Sequence, residues 1–123
     1  KNNGGDKQMS YELCYHGEEG VVKVPPHADG GTVKFVQADD GTIVPGDDAE
    51  LNITGNYSSI FPIRGLDGKV GEEVLDELED AVKILGTERD EDYWAKTPGN
   101  VGYTLSILVG WIKLHPKAVF SIY

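Results

Sequence analysis

Cysteine is nearly absent: Cys14 stands alone, so an internal disulfide, a paired-cysteine redox motif and a cysteine-based zinc cluster are all excluded. A reducing compartment fits. No run approaches the roughly 18 apolar residues of a membrane-crossing helix, and residues 1–8 offer no apolar segment of the kind that directs secretion. Basic residues are scarce as well, 11 against 21 acidic ones, and the resulting charge of −10 repels phosphate backbones and anionic bilayers. The expectation is a cytoplasmic protein that binds neither nucleic acid nor membrane. The three histidines, His16, His27 and His115, have no metal-site spacing, and each neighbours a turn former or proline, as a surface or capping histidine does. No metal or cofactor is expected. Ser58, Ser59, Ser106 and Ser121 lack the Gly-x-Ser-x-Gly elbow of a nucleophile, and Cys14 falls inside a strand-like run, so the expectation is a non-catalytic protein.

What is present suffices for one core. A chain of 123 residues with 39% hydrophobic content buries roughly two thirds of its unfolded surface. Residues 1–8 are polar and glycine-containing ahead of Met9, and read as a cloning remnant or a flexible tail, with 9–123 as a single domain. The first half alternates apolar and polar residues between turn formers, which predicts short strands at 11–15, 21–24, 32–37, 42–44 and 50–54 in a meander or small antiparallel sheet. The period then changes. Val74, Leu75, Leu78, Ala81, Val82 and Leu85 follow three-and-four spacing, with Glu72 and Glu73 in the first turn and Gly86 as the stop, so residues 72–85 are predicted helical. A second helix starts at Thr97-Pro98, a capping residue followed by the residue best suited to the first helical position, and ends at His115-Pro116. Gly102 and Gly110 weaken it by about 1 kcal/mol each relative to alanine and are expected to let it approach the sheet. Residues 118–123 close the chain as a strand pairing with the N-terminal sheet. The predicted architecture is α+β, a small mainly antiparallel sheet with two helices packed on one face.

Three groups of residues invite a functional reading. Gly65, Gly68 and Gly71 precede a helix, as in a phosphate-binding loop, but the Walker ending is missing and Glu72-Glu73 would repel phosphate; a turn feeding the helix is the simpler account. Asn52, Thr54, Asn56, Tyr57, Tyr93, Trp94, Thr97 and Asn100 gather amides, hydroxyls and aromatics at element ends. They would line a small polar pocket if the ends meet, or else satisfy backbone groups and seal the core. The acids Glu72, Glu73, Asp76, Glu77, Glu79 and Asp80 share the polar face of the first helix, followed by Glu88, Asp90, Glu91 and Asp92. Like charges one turn apart cost a few tenths of a kcal/mol per pair, more than solubility alone requires. The plainer alternative is a solvated helix face that happens to be acidic.

Several short pieces, taken in order, carry a resemblance. They are Met9-Ser10-Tyr11, Gly30-Gly31-Thr32, Asn52-Ile53-Thr54-Gly55-Asn56-Tyr57-Ser58, Gly65-Leu66-Asp67-Gly68-Lys69-Val70-Gly71, Asp92-Tyr93-Trp94, Thr97-Pro98-Gly99-Asn100 and Pro116-Lys117-Ala118-Val119-Phe120. The set resembles a family of small phage and prophage proteins with an Asn-Ile-Thr-x-Asn-Tyr-Ser motif. This chain departs from that pattern at Gly55, where members usually have an aromatic residue, and in a shorter segment between Phe61 and Gly65. The resemblance implies a phage or prophage origin and an accessory role in the cytoplasm of an infected or lysogenic bacterium, and no particular reaction. Combined with the acidic helix, the expectation is a modulator or inhibitor whose Glu72, Glu73, Asp76, Glu77, Asp80, Asp90 and Asp92 occupy a basic groove on a host or defence-system protein, imitating DNA phosphates or complementing Lys and Arg. The alternatives are a small-molecule binder or enzyme using the amide and aromatic set, and a virion structural or assembly component.

Overall fold

The computed structural model describes residues 10–26, 35–92 and 95–123; the reading of residues 1–8 lies outside them, as do His27 and the start of the strand expected at 32–37. Strand β1 (Ser10–Gly17) is the centre of the main sheet. It forms a hairpin with β2 (Gly20–Val21), and on that same edge pairs antiparallel with β5 (Glu50–Thr54), Ser10 opposite Thr54 and Cys14 opposite Glu50. Its other edge takes β6 (Val119–Ile122), Leu13 opposite Ile122 and His16 opposite Val119, so the C-terminal strand closes onto the N-terminal sheet as expected. The expected second strand divides. Gly20 and Val21 pair with β1 and the Val22 N–H still reaches the Tyr15 carbonyl at 3.0 Å, while the Val22 carbonyl accepts from Ala49 at 3.0 Å and the Val24 N–H turns to the Asp47 carbonyl at 2.8 Å. Strands β3 (Phe35–Gln37) and β4 (Ile43–Pro45) form a separate two-stranded hairpin. Its turn is built by the Asp40 carboxylate accepting from the Thr42 N–H, with Gly41 at φ +89°.

Alternation sorts the sheet into two faces. Tyr11, Leu13 and Tyr15 of β1 point inward with Leu51, Ile53, Phe120 and Ile122, and all are buried. Ser10, Glu12, Cys14, His16, Asn52 and Ser121 take the alternate positions and are half-buried or exposed. The inner face is covered by α1 (Gly71–Leu85) and α2 (Pro98–Leu114), which makes the fold a small α+β arrangement of antiparallel strands and packed helices. Helix α1 is amphipathic and buries one stripe, Val74 and Leu78. Helix α2 buries Val101, Leu105, Leu108, Trp111 and Ile112 together with Gly102 and Thr104, because it has neighbours on more than one side. Phe120 stacks on Tyr15 at 4.4 Å between ring centroids, and Trp111 at 6.5 Å, which ties α2 to β1 and β6. Each large apolar side chain so enclosed contributes roughly 1.5–3 kcal/mol.

Glycines set two of these contacts. A Cβ at Gly102 would overlap the Gly86 carbonyl at the end of α1, whereas one at Gly110 would meet nothing within 4 Å. The close approach expected between α2 and the sheet through these glycines is therefore a helix–helix contact at Gly102 and no contact at Gly110. A Cβ at Gly71 would overlap the Tyr15 hydroxyl, so glycine lets α1 start against the central strand. The stretch from Gly65 to Gly71 feeds α1 as expected and also guards an edge. The Gly68 and Gly71 N–H groups bond to the carbonyls of Phe120 and Ala118, both at 2.8 Å, and the Asp67 carboxylate accepts from the Ile122 N–H at 2.9 Å, covering the outer edge of β6.

Candidate functional site

Helix α1 presents its polar face because its apolar stripe is committed to the core. At its start the Glu73 carboxylate accepts from the Val70 N–H at 2.9 Å, closing a backbone group that the first turn leaves open. Two acids are matched internally: Glu72 by Lys117 at 2.7 Å and Glu79 by Lys113 at 3.2 Å. Asp76, Glu77 and Asp80 are exposed and have no ion-pair partner among the described residues. One turn apart, Asp76 and Asp80 form an i, i+4 pair of like sign, as do Glu73 and Glu77. Asp76, Glu79, Asp80 and Lys83 line an open depression of about 380 Å³, three carboxylates to one ammonium. The face ends at Ile84, 82% exposed, so the carboxylates are followed by a fully presented apolar side chain.

Asp90 and Asp92 lie beyond α1 in a loop held by one amide. The buried Asn100 side chain accepts from the Asp90 N–H at 2.9 Å and donates to the carbonyls of Asp92 at 3.1 Å and Ala95 at 2.9 Å, while its own N–H is capped by the Thr97 hydroxyl at 3.1 Å. Asp90 in turn accepts from the Asp92 N–H at 2.9 Å. The loop carries exposed carboxylates on a braced backbone.

The amide and hydroxyl set is distributed. Asn52 lies on the outer face of the sheet and donates to Glu12 at 2.8 Å. Thr54 is buried and accepts from the Asn56 N–H at 3.3 Å, starting a 3-10 turn over Gly55–Ser59 in which Tyr57 points into the core. Asn100 spends its amide on the Asp90 loop. Tyr93 and Trp94 lie outside the described residues. Among the described residues, no hydrogen bond joins Asn52, Thr54 or Asn56 to Asn100.

One polar pairing escaped the sequence reading. His16 Nε2 and the Ser121 hydroxyl lie 2.6 Å apart on the outer face of the sheet, and the Cys14 thiol donates to Glu50 at 3.7 Å nearby. Strand alternation places Cys14 and His16 on one face, but Ser121 joins them only because β6 pairs with β1. A serine beside an imidazole is the contact of an activated nucleophile. Among the described residues no carboxylate bonds to His16 to orient it, and no three His, Cys, Asp or Glu side chains converge as metal ligands. His115 caps α2, and its ring meets the Lys23 carbonyl at 2.8 Å. No helix among the described residues is long and apolar enough to cross a membrane.

With this geometry in hand, comparison with protein-family models, with curated proteins and with solved structures finds no match to the chain.

Proposed function

We propose that the chain is an acidic binding protein that docks the outward face of α1 onto a basic surface of a host or defence-system protein in a bacterial cytoplasm, modulating it without catalysis. The observation that carries this reading is the unequal matching of the helix acids. Glu72 and Glu79 each have a lysine of the chain itself, and Asp76, Glu77 and Asp80 are left facing solvent. Three unmatched carboxylates on one rigid rod repel each other in the isolated protein and are relieved when Lys or Arg side chains approach. The gain comes on association. The overall charge of −10 acts in the same direction, drawing a basic partner in from a distance and setting the association rate. The phage or prophage setting is part of the proposal and comes from the short sequence motifs alone, and the braced Asp90 and Asp92 extend the negative surface past the end of α1.

The test compares the protein with D76N/E77Q/D80N, both immobilised against a lysate of a prophage-bearing bacterium. A partner retained by the unmodified protein and lost by the variant is expected, with an association rate that falls roughly tenfold between ~50 and ~300 mM salt. Equal capture by both proteins, or a rate indifferent to salt, overturns the reading.

A further inference from the structure

A second open depression lies between the two helices, beside the acidic one. About 220 Å³ in volume, it is lined by Val82 of α1, Val109 and Ser106 of α2, and the side chains of Glu79 and Lys83. Ser106 turns its hydroxyl back to the Tyr103 carbonyl, so its polar atom is already satisfied and the cavity is floored by apolar atoms. Glu79 and Lys83 line this apolar cavity and the carboxylate depression of Asp76 and Asp80 alike, so the two adjoin.

We propose that the groove between α1 and α2 seats one aliphatic or aromatic side chain from a cationic segment of the partner, whose neighbouring Lys or Arg residues reach Asp76 and Asp80. The inference rests on the docking reading above and names what the partner must present there. Charge selects the occupant. A nucleic acid would bring phosphates against Asp76, Glu79 and Asp80, and a second copy of this chain would bring a surface of the same sign, at −10 per chain. A protein segment with an apolar residue flanked by basic ones satisfies both depressions at once, burying apolar area in one and pairing carboxylates in the other.

Three synthetic peptides test this against the full chain by amide chemical-shift mapping. The first carries Lys and Arg around one leucine, the second has alanine for that leucine, and the third keeps the leucine with glutamines for the basic residues. The first is expected to bind roughly tenfold tighter than either other, shifting the amides of Val82, Lys83, Ser106 and Val109, and to lose that advantage on Val109→Lys. Should that variant fail to fold, Ser106→Leu fills the same cavity with apolar atoms and must give the same loss. Equal affinity for the leucine and alanine peptides, with shifts confined to Asp76–Asp80, overturns the groove and leaves electrostatic docking standing. A glutamine peptide that binds as well as the cationic one overturns the cationic occupant. If neither basic peptide perturbs α1, the groove and the docking reading fall together.

Discussion

Tyr15 does three jobs from a fully buried position. Its ring stacks between Phe120 and Trp111, its hydroxyl donates to the His115 carbonyl at the end of α2, and Gly71 leaves room for that hydroxyl at the start of α1. Burial disfavours the phenolate and the Glu72 carboxylate adds to that, so the group is pushed up to about 12 from its ordinary value of 10.0. The folded protein holds this proton more tightly than the unfolded chain does. The stabilisation is therefore complete below pH 10, falls away as pH rises through the interval from 10 to 12, and is gone above it. Tyr15→Phe keeps the stacking but removes one donor to the part-buried His115 carbonyl, which still accepts from the Ala118 N–H, and costs about 0.5–1.5 kcal/mol near neutral pH. It also removes this residue's share of the alkaline loss. Urea unfolding midpoints between pH 8 and 11 would show the difference between the two proteins narrowing as pH rises; a constant gap means that the phenol does not titrate as its burial requires.

Helix α2 contains two glycines whose substitutions are expected to have opposite signs. At Gly102 an alanine methyl would overlap the Gly86 carbonyl, backbone that has little freedom because Gly86 ends α1 at φ +77°; overpacking of that kind costs about 1–3 kcal/mol. At Gly110 the methyl points into open space, and better helix propensity should add up to about 1 kcal/mol. Denaturation midpoints of G102A and G110A check this, and shifts in the same direction would remove the helix–helix contact from the account. The contrast also shows what local sequence carries. Thr97-Pro98 starts α2 and Gly86 stops α1 as read, because capping depends only on neighbours along the chain. The identity of the surface that Gly102 approaches depends on how two helices cross, and no spacing within α2 encodes it. The same division governs the candidate sites. One helix brings Asp76, Glu77 and Asp80 together by periodicity, which sequence reveals directly. Asn100 looked like a pocket amide because it sits at a helix start among polar residues, yet its hydrogen bonds go to the backbone of Asp90, Asp92 and Ala95. His16 and Ser121 are 105 positions apart and meet only through strand pairing. The 3-10 turns at Gly55–Ser59 and Ile63–Leu66 have no signature in the sequence, because turns so short carry no repeating apolar pattern.

For the whole molecule, a charge of −10 is a standing cost to the compact state and an asset in reaching a basic partner. These two effects separate cleanly at α1, because among the described residues the side chains of Asp76, Glu77 and Asp80 make no hydrogen bond or ion pair, unlike Glu72 with Lys117, Glu73 with the Val70 N–H, and Glu79 with Lys113. Removing the three charges relieves the Asp76–Asp80 and Glu73–Glu77 repulsions, each a few tenths of a kcal/mol. D76N/E77Q/D80N should therefore unfold at the same temperature or slightly higher than the unmodified protein at low salt. Because salt screens exposed charges, the difference should shrink as ionic strength rises. Glu79→Gln breaks a lysine contact and is expected to give no such gain, which makes it the internal control. Thermal unfolding of the three proteins across a salt series decides between two origins for the acidic face. A triple variant that melts lower would mean that the carboxylates serve the fold. One that melts no lower, and has lost its partner, would mean that the chain carries repulsion in the isolated state for the sake of what it binds.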